Sequence, residues 1–349
     1  MPHPRILVIR RRYLGDLVLL GLFLRSLHNH WPEASIQVLL EEQYDPVLAL
    51  NPDVERRHAL PVKTRTLSRW FSLVRGLRRE KFTHVFDLDN TEKTALLARL
   101  TGASFRAVLN LTGRKLRLGW AYTHCETVEL EFRHTHHITA YYNKLLQAAK
   151  VPVLDAPLRL YPNEQDIAWA RALPVQPSGR PRVLVHPGSR SAFRIWPPEN
   201  FATLCDRLQQ EGIASITLIG GPAEQDVVAA IRAAMQTTPA VIEEKVSVGQ
   251  LAALFQRFDL FLCHDSGPMH LATAVGLPVV ALFGSQNIDE WRPLGTGNIA
   301  LQPPLPCVHC VAPGVCKRDD AYHNYCVRNI TIDRVYTAIR ERLIPPSRT

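Results

Sequence analysis

The sequence lacks any apolar run long enough to cross a bilayer as a helix. Its longest strongly apolar stretch, residues 17–24, falls far short of the ~20 residues a span needs, and Arg5, Arg10, Arg11 and Arg12 precede it. A basic start before an apolar segment has the outline of a secretion signal. Asp16 sits at its edge, however, and no small-residue cleavage site follows, so the expectation is a buried helix in a cytoplasmic protein. Also missing are a Gly-x-Gly-x-x-Gly fingerprint and a Walker A loop, which leaves a dinucleotide redox enzyme and a P-loop kinase without support. Neither internal repeats nor low-complexity tracts occur, which argues against a solenoid or a biased linker. Charged residues at 21% and apolar residues at 46% are ordinary globular usage, against both disorder and a membrane-embedded chain.

The 349 residues exceed what one core usually serves, so two domains are expected. Seven cysteines include an odd one, and Cys125, Cys205 and Cys263 fall inside or beside apolar patterns where buried reduced thiols are common, which fits a reducing compartment. A net charge of +9 favours anionic partners, whether nucleic acid, a membrane surface or a phosphorylated substrate, without choosing among them.

The β-branched run 6–9 turns at Tyr13-Leu14-Gly15-Asp16 into a helical pattern with Leu17, Leu20, Phe23 and Leu24 on one face. Further strands are expected at 36–40, 84–88 and 106–109, with a helix near 91–100. Pro152, Pro157, Pro162, Pro174, Pro177 and Pro181 crowd residues 150–182, where a domain junction is placed. Beyond it strands at 183–186, 216–219, 240–242, 260–263 and 279–283 alternate with helices near 198–211, 223–235, 249–258 and 268–275. That alternation predicts a parallel sheet covered on both faces, whose ligands bind outside the carboxyl ends of the strands.

The strand-to-helix loops therefore carry the functional reading. In His264-Asp265-Ser266-Gly267-Pro268-Met269-His270, Asp265 or Ser266 can cap the next helix, Gly267 permits close backbone approach, and first-turn amides favour a diphosphate. The plain alternative is a well-capped helix. A second loop, His186-Pro187-Gly188-Ser189-Arg190, is followed by Arg194-Ile195-Trp196-Pro197, whose guanidinium matches phosphate oxygens. Trp196 is equally a core residue, and Arg194 a solvated charge. Gly220-Gly221-Pro222-Ala223-Glu224 would bring backbone near a ligand. In the first half, Asp16 stands where strand becomes helix, placed either as an N-cap or as a general base whose pKa partial desolvation would raise. Lys93 is a candidate for an anionic acceptor group, or simply a solvated lysine.

Taken together, Gly15-Asp16, His186-Pro187-Gly188, Arg194-x-Trp196-Pro197, Gly220-Gly221-Pro222 and Asp265-Ser266-Gly267-Pro268-Met269-His270 resemble glycosyltransferase family nine, the ADP-heptose:lipopolysaccharide heptosyltransferases, over residues 6–339. The resemblance implies an α/β fold of GT-B type, two Rossmann-like doubly wound domains facing across a cleft. It divides the chain into an acceptor domain (1–175), a nucleotide-sugar domain (176–330) and a C-terminal helix (331–349) returning toward the first. It implies inverting transfer of heptose from ADP-heptose to a lipid-linked lipopolysaccharide core with no catalytic cofactor or metal. Asp16 would be the base, and Arg194, where relatives often have lysine, would neutralise the donor phosphates. Gly188, Ser189, Asp265, Ser266, Gly267 and His270 would hold diphosphate and sugar, Val246 would lie near adenine, and Lys93 would meet the acceptor. A cytoplasmic protein at the inner membrane, with no nucleic-acid partner, follows.

Two features stand outside that scheme. Cys307, Cys310, Cys316 and Cys326, with His309 and His323 among them, are dense enough for a structural Zn2+ site; disulfides, an iron-sulfur cluster or free thiols are the alternatives. Residues 63–82 place Leu67, Trp70, Phe71, Val74 and Leu77 at helical spacing among Lys63, Arg65, Arg69, Arg75, Arg78, Arg79 and Lys81, as a packed helix or as one lying on an anionic membrane. Competing functions are transfer of another activated sugar, a basic nucleic-acid binder with a metal site, and a nucleotide binder without turnover; the last two leave Asp16 unexplained.

Overall fold

The computed structural model describes residues 3–61, 67–173, 179–307, 316 and 325–344. The chain divides into two compact units, Met1–Leu160 and Tyr161–Thr349. The boundary lies within the proline-rich stretch but ahead of the expected 175/176 position; Pro174 and Pro177 fall outside the described residues.

The first unit holds a parallel sheet of β1 (Arg5–Ile9), β2 (Ser35–Glu41), β3 (Arg56–Leu60), β4 (His84–Asp87), β5 (Phe105–Leu111) and β6 (His124–Val128), in the order β3-β2-β1-β4-β5-β6. The second holds β7 (Arg182–His186), β8 (Ser215–Ile219), β9 (Ala240–Ile242), β10 (Leu260–His264), β11 (Val279–Leu282) and β12 (Ile299–Leu301), in the order β12-β11-β10-β7-β8-β9. Read from β9, this is the same doubly wound order, so each sheet reverses direction beside its first strand. The central strands explain why the sequence announces them: Ile6, Leu7, Val8 and Ile9 are fully buried, as are Leu260, Phe261, Leu262 and Cys263. Parallel sheets covered on both faces require such continuous apolar runs.

β3, β6 and β12 were not anticipated, and all three are sheet edges. In β3 only Leu60 is buried and in β6 only Val128, so Arg56-Arg57-His58 and His124-Cys125-Glu126 read as polar segments. Polar edge strands discourage pairing with other chains. The apolar run 17–24 is divided between helices Leu14–Leu19 and Gly21–His30 and is largely buried, as expected. The helix Ile332–Leu343, capped by Thr331, packs on the Pro198–Gln210 helix and beside β11 and β12. Its Val335, Tyr336, Ala338 and Ile339 join the core around Trp196 and Phe201 in the second unit.

Candidate active site

Each sheet leaves a crevice at the carboxyl ends of its first and fourth strands, where neighbouring connections run to opposite faces. In the first unit those strands are β1 and β4, and they deliver the segments 10–16 and 88–90. In the second they are β7 and β10, which deliver 187–196 and 265–270. The loops singled out in the sequence therefore stand at the topological switch points.

At the first switch point Arg10 gathers the charges. Its Nη1 donates to Asp89 Oδ1 at 3.0 Å and its Nη2 to the Tyr142 hydroxyl at 3.0 Å and to Asp16 Oδ1. Tyr142 in turn donates its hydroxyl to the same Asp16 oxygen. Asp16 Oδ2 accepts the Tyr13 amide at 3.1 Å, closing the start of the Leu14–Leu19 helix. Asp16 is thus both a helix-start acceptor and the carboxylate at the crevice. Burial opposes its ionisation, but the Arg10 guanidinium, the Tyr142 hydroxyl and the Tyr13 amide outweigh it and hold the carboxyl below its ordinary value. This corrects the expectation that desolvation would raise it. Beneath the network, Asp87 is fully buried and accepts the Asp89 amide at 2.8 Å and the Tyr122 hydroxyl at 2.5 Å. Burial, helped by the charge of Asp89, pushes its carboxyl up to about 6.

At the second switch point His264, the last residue of β10, joins three segments. Its Nε2 accepts the Trp196 amide at 2.9 Å, which fixes the ring proton on Nδ1, 3.2 Å from the Gly188 carbonyl to which it donates. Full burial drops its pKa to about 3, so the ring is neutral. Trp196 is itself fully buried, stacked edge-on against Phe201 at 5.0 Å, with Nε1 donating to Ile330 at 2.9 Å; of its two readings the core one holds. Gly188 leaves room for its neighbour, because a Cβ there would stand 2.2 Å from Cγ of Glu224 and force that side chain to shift. Gly221 likewise faces a Glu224 carboxylate oxygen, so both glycine loops make room for that acid, to which the sequence reading gave no role of its own.

Arg194 Nη1 lies 3.1 Å from Asp265 Oδ2 and donates to the Asp265 carbonyl at 3.4 Å. Burial pushes the Asp265 carboxyl up to about 6, against the charges of Arg194 and Arg190 and with that of Glu290. The capping expectation is corrected: Ser266 occupies the N-cap position of the Gly267–Ala274 helix, but its side chain makes no cap hydrogen bond, and Asp265 is engaged by Arg194. The shielded polar atoms without a hydrogen-bond partner among the described residues include Arg194 Nε, Ser266 Oγ and Ser285 Oγ. They follow β7, β10 and β11, at one end of the same sheet. Buried polar groups are nearly always satisfied, so unsatisfied ones at the strand ends of this sheet make it a candidate place for a polar ligand. His270 is buried nearby, its ring 6.3 Å from that of Trp291, whose neighbour Glu290 is also buried. Ser285 and Glu290 were missed; only the position of Gly284-Ser285 at the end of β11 signalled the former.

The remaining candidates are more dispersed. Ser189 is half-buried and accepts the Ser191 amide at 3.4 Å. Val246 is half-buried just ahead of Ser247, which caps the Val248–Phe255 helix. Lys93 is exposed, its ammonium 5.7 Å from the centre of the Trp70 ring. The zinc expectation finds no support among the described residues, where no three His, Cys, Asp or Glu side chains gather as metal ligands. Cys326 is buried against Gly284, Cys307 and Cys316 are half-buried, and Cys310, His309 and His323 lie outside the described residues. Among the described residues no helix is long and apolar enough to cross a membrane.

Two doubly wound sheets, each with a polar site at its switch point, define an α/β protein of GT-B type, and solved structures share that fold. A glycosyl transferase family 9 protein from Veillonella parvula matches with a TM-score of 0.85 at 24% identity, covering 98% of each chain. The Escherichia coli heptosyltransferase WaaC with ADP matches with a TM-score of 0.72 at 16% identity, over 97% of this chain and 99% of that one. The lipopolysaccharide heptosyltransferase 3 of Escherichia coli is 27% identical over 295 residues, 82% of this chain and 86% of that protein. The family model for glycosyltransferase family 9 (heptosyltransferase) matches residues 70–317, and the chain belongs to that family.

Proposed function

We propose that this enzyme moves heptose from ADP-heptose to a lipopolysaccharide core acceptor, with inversion at the anomeric carbon, Asp16 as general base and no divalent metal. The observation that carries the donor half is the trio of unsatisfied buried atoms, Arg194 Nε, Ser266 Oγ and Ser285 Oγ, at the switch point of the second sheet. A diphosphate there gains donors from two serines, a guanidinium and the Gly267 turn, which together with Gly188, Ser189 and His270 hold phosphates and sugar; Val246 lines the adenine end. Asp265, tied to Arg194, keeps that cation oriented.

In the reaction the acceptor oxygen forms a bond to the anomeric carbon while the carbon–oxygen bond to phosphate breaks and ADP leaves with the electron pair. Arg194 and the helix start stabilise the charge that accumulates on ADP, in the role a metal plays elsewhere. The acceptor proton passes to Asp16, whose Oδ2 keeps a lone pair outside the three bonds described. A carboxylate held this acidic is a weak base toward a free alcohol, so it takes the proton late, once bond formation has acidified the hydroxyl. Lys93 would hold a phosphate of the acceptor, at the cytoplasmic face of the inner membrane.

The test is transfer from a panel of nucleotide sugars to a truncated core acceptor in excess EDTA, with the anomeric configuration of the product read by NMR. Turnover of ADP-heptose alone, undiminished by EDTA and with inversion, is expected. Preference for another donor, retention, or loss of activity restored by a divalent ion would each overturn a named part.

A further inference from the structure

The most exposed large apolar side chains among the described residues are Phe71 at 72%, Leu67 at 71% and Trp120 at 65%. They share one region of the first unit. The Leu67–Arg79 helix packs by Trp70, Leu73, Val74 and Leu77 against the core beneath β1 and β4. Its outward side carries Leu67, Phe71, Arg75 and Arg78, spaced as one helical stripe, and all four are exposed. The Glu92–Leu100 helix lies against it and also against the Gly119–Ala121 turn that bears Trp120. Leu96, 45% exposed, stands on that helix between the two.

Charge follows the same outline. The Leu67–Arg79 helix contains four arginines and no acid, and the segment 112–120 contains Arg114, Lys115 and Arg117 and no acid. The acids at the margin are engaged, Glu80 with Arg5 and Arg56 and Glu92 with Arg117. Apolar tips set among unopposed cations are the composition of an interfacial helix on a negatively charged leaflet. A protein interface would instead gather the apolar groups into a core depleted of charge. A nucleic-acid surface would present stacking aromatics, a use that Leu67 and Leu96 cannot serve.

We infer that this face, formed by the Leu67–Arg79 and Glu92–Leu100 helices with the turn at Trp120, docks on an anionic lipid bilayer. Phe71, Leu67 and Trp120 enter the headgroup layer, and Arg75, Arg78, Arg114 and Lys115 meet lipid phosphates. The inference does not depend on which sugar the enzyme moves, so it stands or falls separately from the proposed reaction.

The test is flotation of the full-length protein with vesicles of phosphatidylcholine alone or mixed with phosphatidylglycerol. Binding is expected to the mixed vesicles only, and to weaken as salt is raised. Arg75→Gln with Arg78→Gln should reduce partitioning roughly thirtyfold, at about one kcal/mol per cation near the surface. Phe71→Ser should reduce it at high salt as well as low, and Phe71→Trp should show blue-shifted emission that brominated lipid quenches. ADP affinity of each variant should match the wild type, which shows that the fold is intact. Equal binding to both vesicle types, undiminished binding by Phe71→Ser, or binding of single-stranded RNA with no vesicle binding would overturn the inference.

Discussion

Tyr142 donates its hydroxyl to Oδ1 of Asp16 while accepting from Arg10, so one phenol links the carboxylate to the cation that keeps it ionised. The two residues are 126 positions apart, one at the start of the first helix and the other on the Ile138–Asn143 helix. Their contact turns an aspartate that caps a helix into one with a defined orientation and a depressed pKa.

Tyr142→Phe removes a hydrogen bond to the ionised form, so the Asp16 carboxyl should rise toward its ordinary value. The acidic limb of kcat/KM should then move to higher pH, by roughly one unit, with kcat at neutral pH reduced about tenfold as the carboxylate loses its alignment. ADP affinity, assigned to the other sheet in the proposed function, should be unchanged. A pH profile superimposable on that of the wild type would show that Tyr142 does not act through Asp16.

Arg194 offers Nη1 to Asp265, and its Nε has no hydrogen-bond partner among the described residues. Arg194→Ala should lower kcat/KM by roughly 10² to 10³, as expected when a donor to developing charge is lost. Arg194→Lys should recover part of this but not all, because an ammonium cannot serve Asp265 and phosphate with a planar fork. Full activity of the alanine variant in steady-state assays would remove Arg194 from the donor site.

His264→Ala breaks two buried hydrogen bonds, one to the Trp196 amide and one to the Gly188 carbonyl. Thermal unfolding should show a loss of roughly 2 to 4 kcal/mol, and ADP should bind more weakly because the loops after β7 lose their tether to β10. The folded-state pKa lies near 3, below the unfolded value of 6.5. The stabilisation is therefore present above pH 6.5 and is lost as pH falls toward 3. The difference in stability between wild type and variant should shrink across that window and stay constant from pH 7 upward; an effect that instead grows on acidification would contradict a neutral ring.

How much of this was legible in the sequence depends on burial. β1, β7, β10 and β11 are covered on both faces, so their apolar runs could be nothing but central strands. β3 and β6 sit at edges, where Arg56 and His124 face water, and the same reading left them as loops. At the sites, the loop positions of Asp16, Arg194, Asp265 and Ser266 were legible because doubly wound sheets place function at strand ends. Their partners were not. Tyr142 reaches Asp16, and Glu224 reaches Gly188, only through tertiary packing, and a glycine facing an acid reads in sequence like a glycine facing a ligand. Trp196 shows the reverse limit: its motif suggested a contact with substrate, and the fold uses it to hold Ile330 and Phe201.

The most direct test of the account is Asp16→Asn, a near-isosteric change that keeps a side-chain oxygen for the Tyr13 amide. Heptosyl transfer from ADP-heptose to a truncated core acceptor would be followed in excess EDTA, alongside calorimetric titration with ADP. The account predicts that kcat falls by roughly 10² to 10⁴ while the ADP dissociation constant stays within about twofold, since the carboxylate contributes to the transition state and not to donor binding. Transfer at the wild-type rate by Asp16→Asn would contradict the assignment of Asp16 as the base.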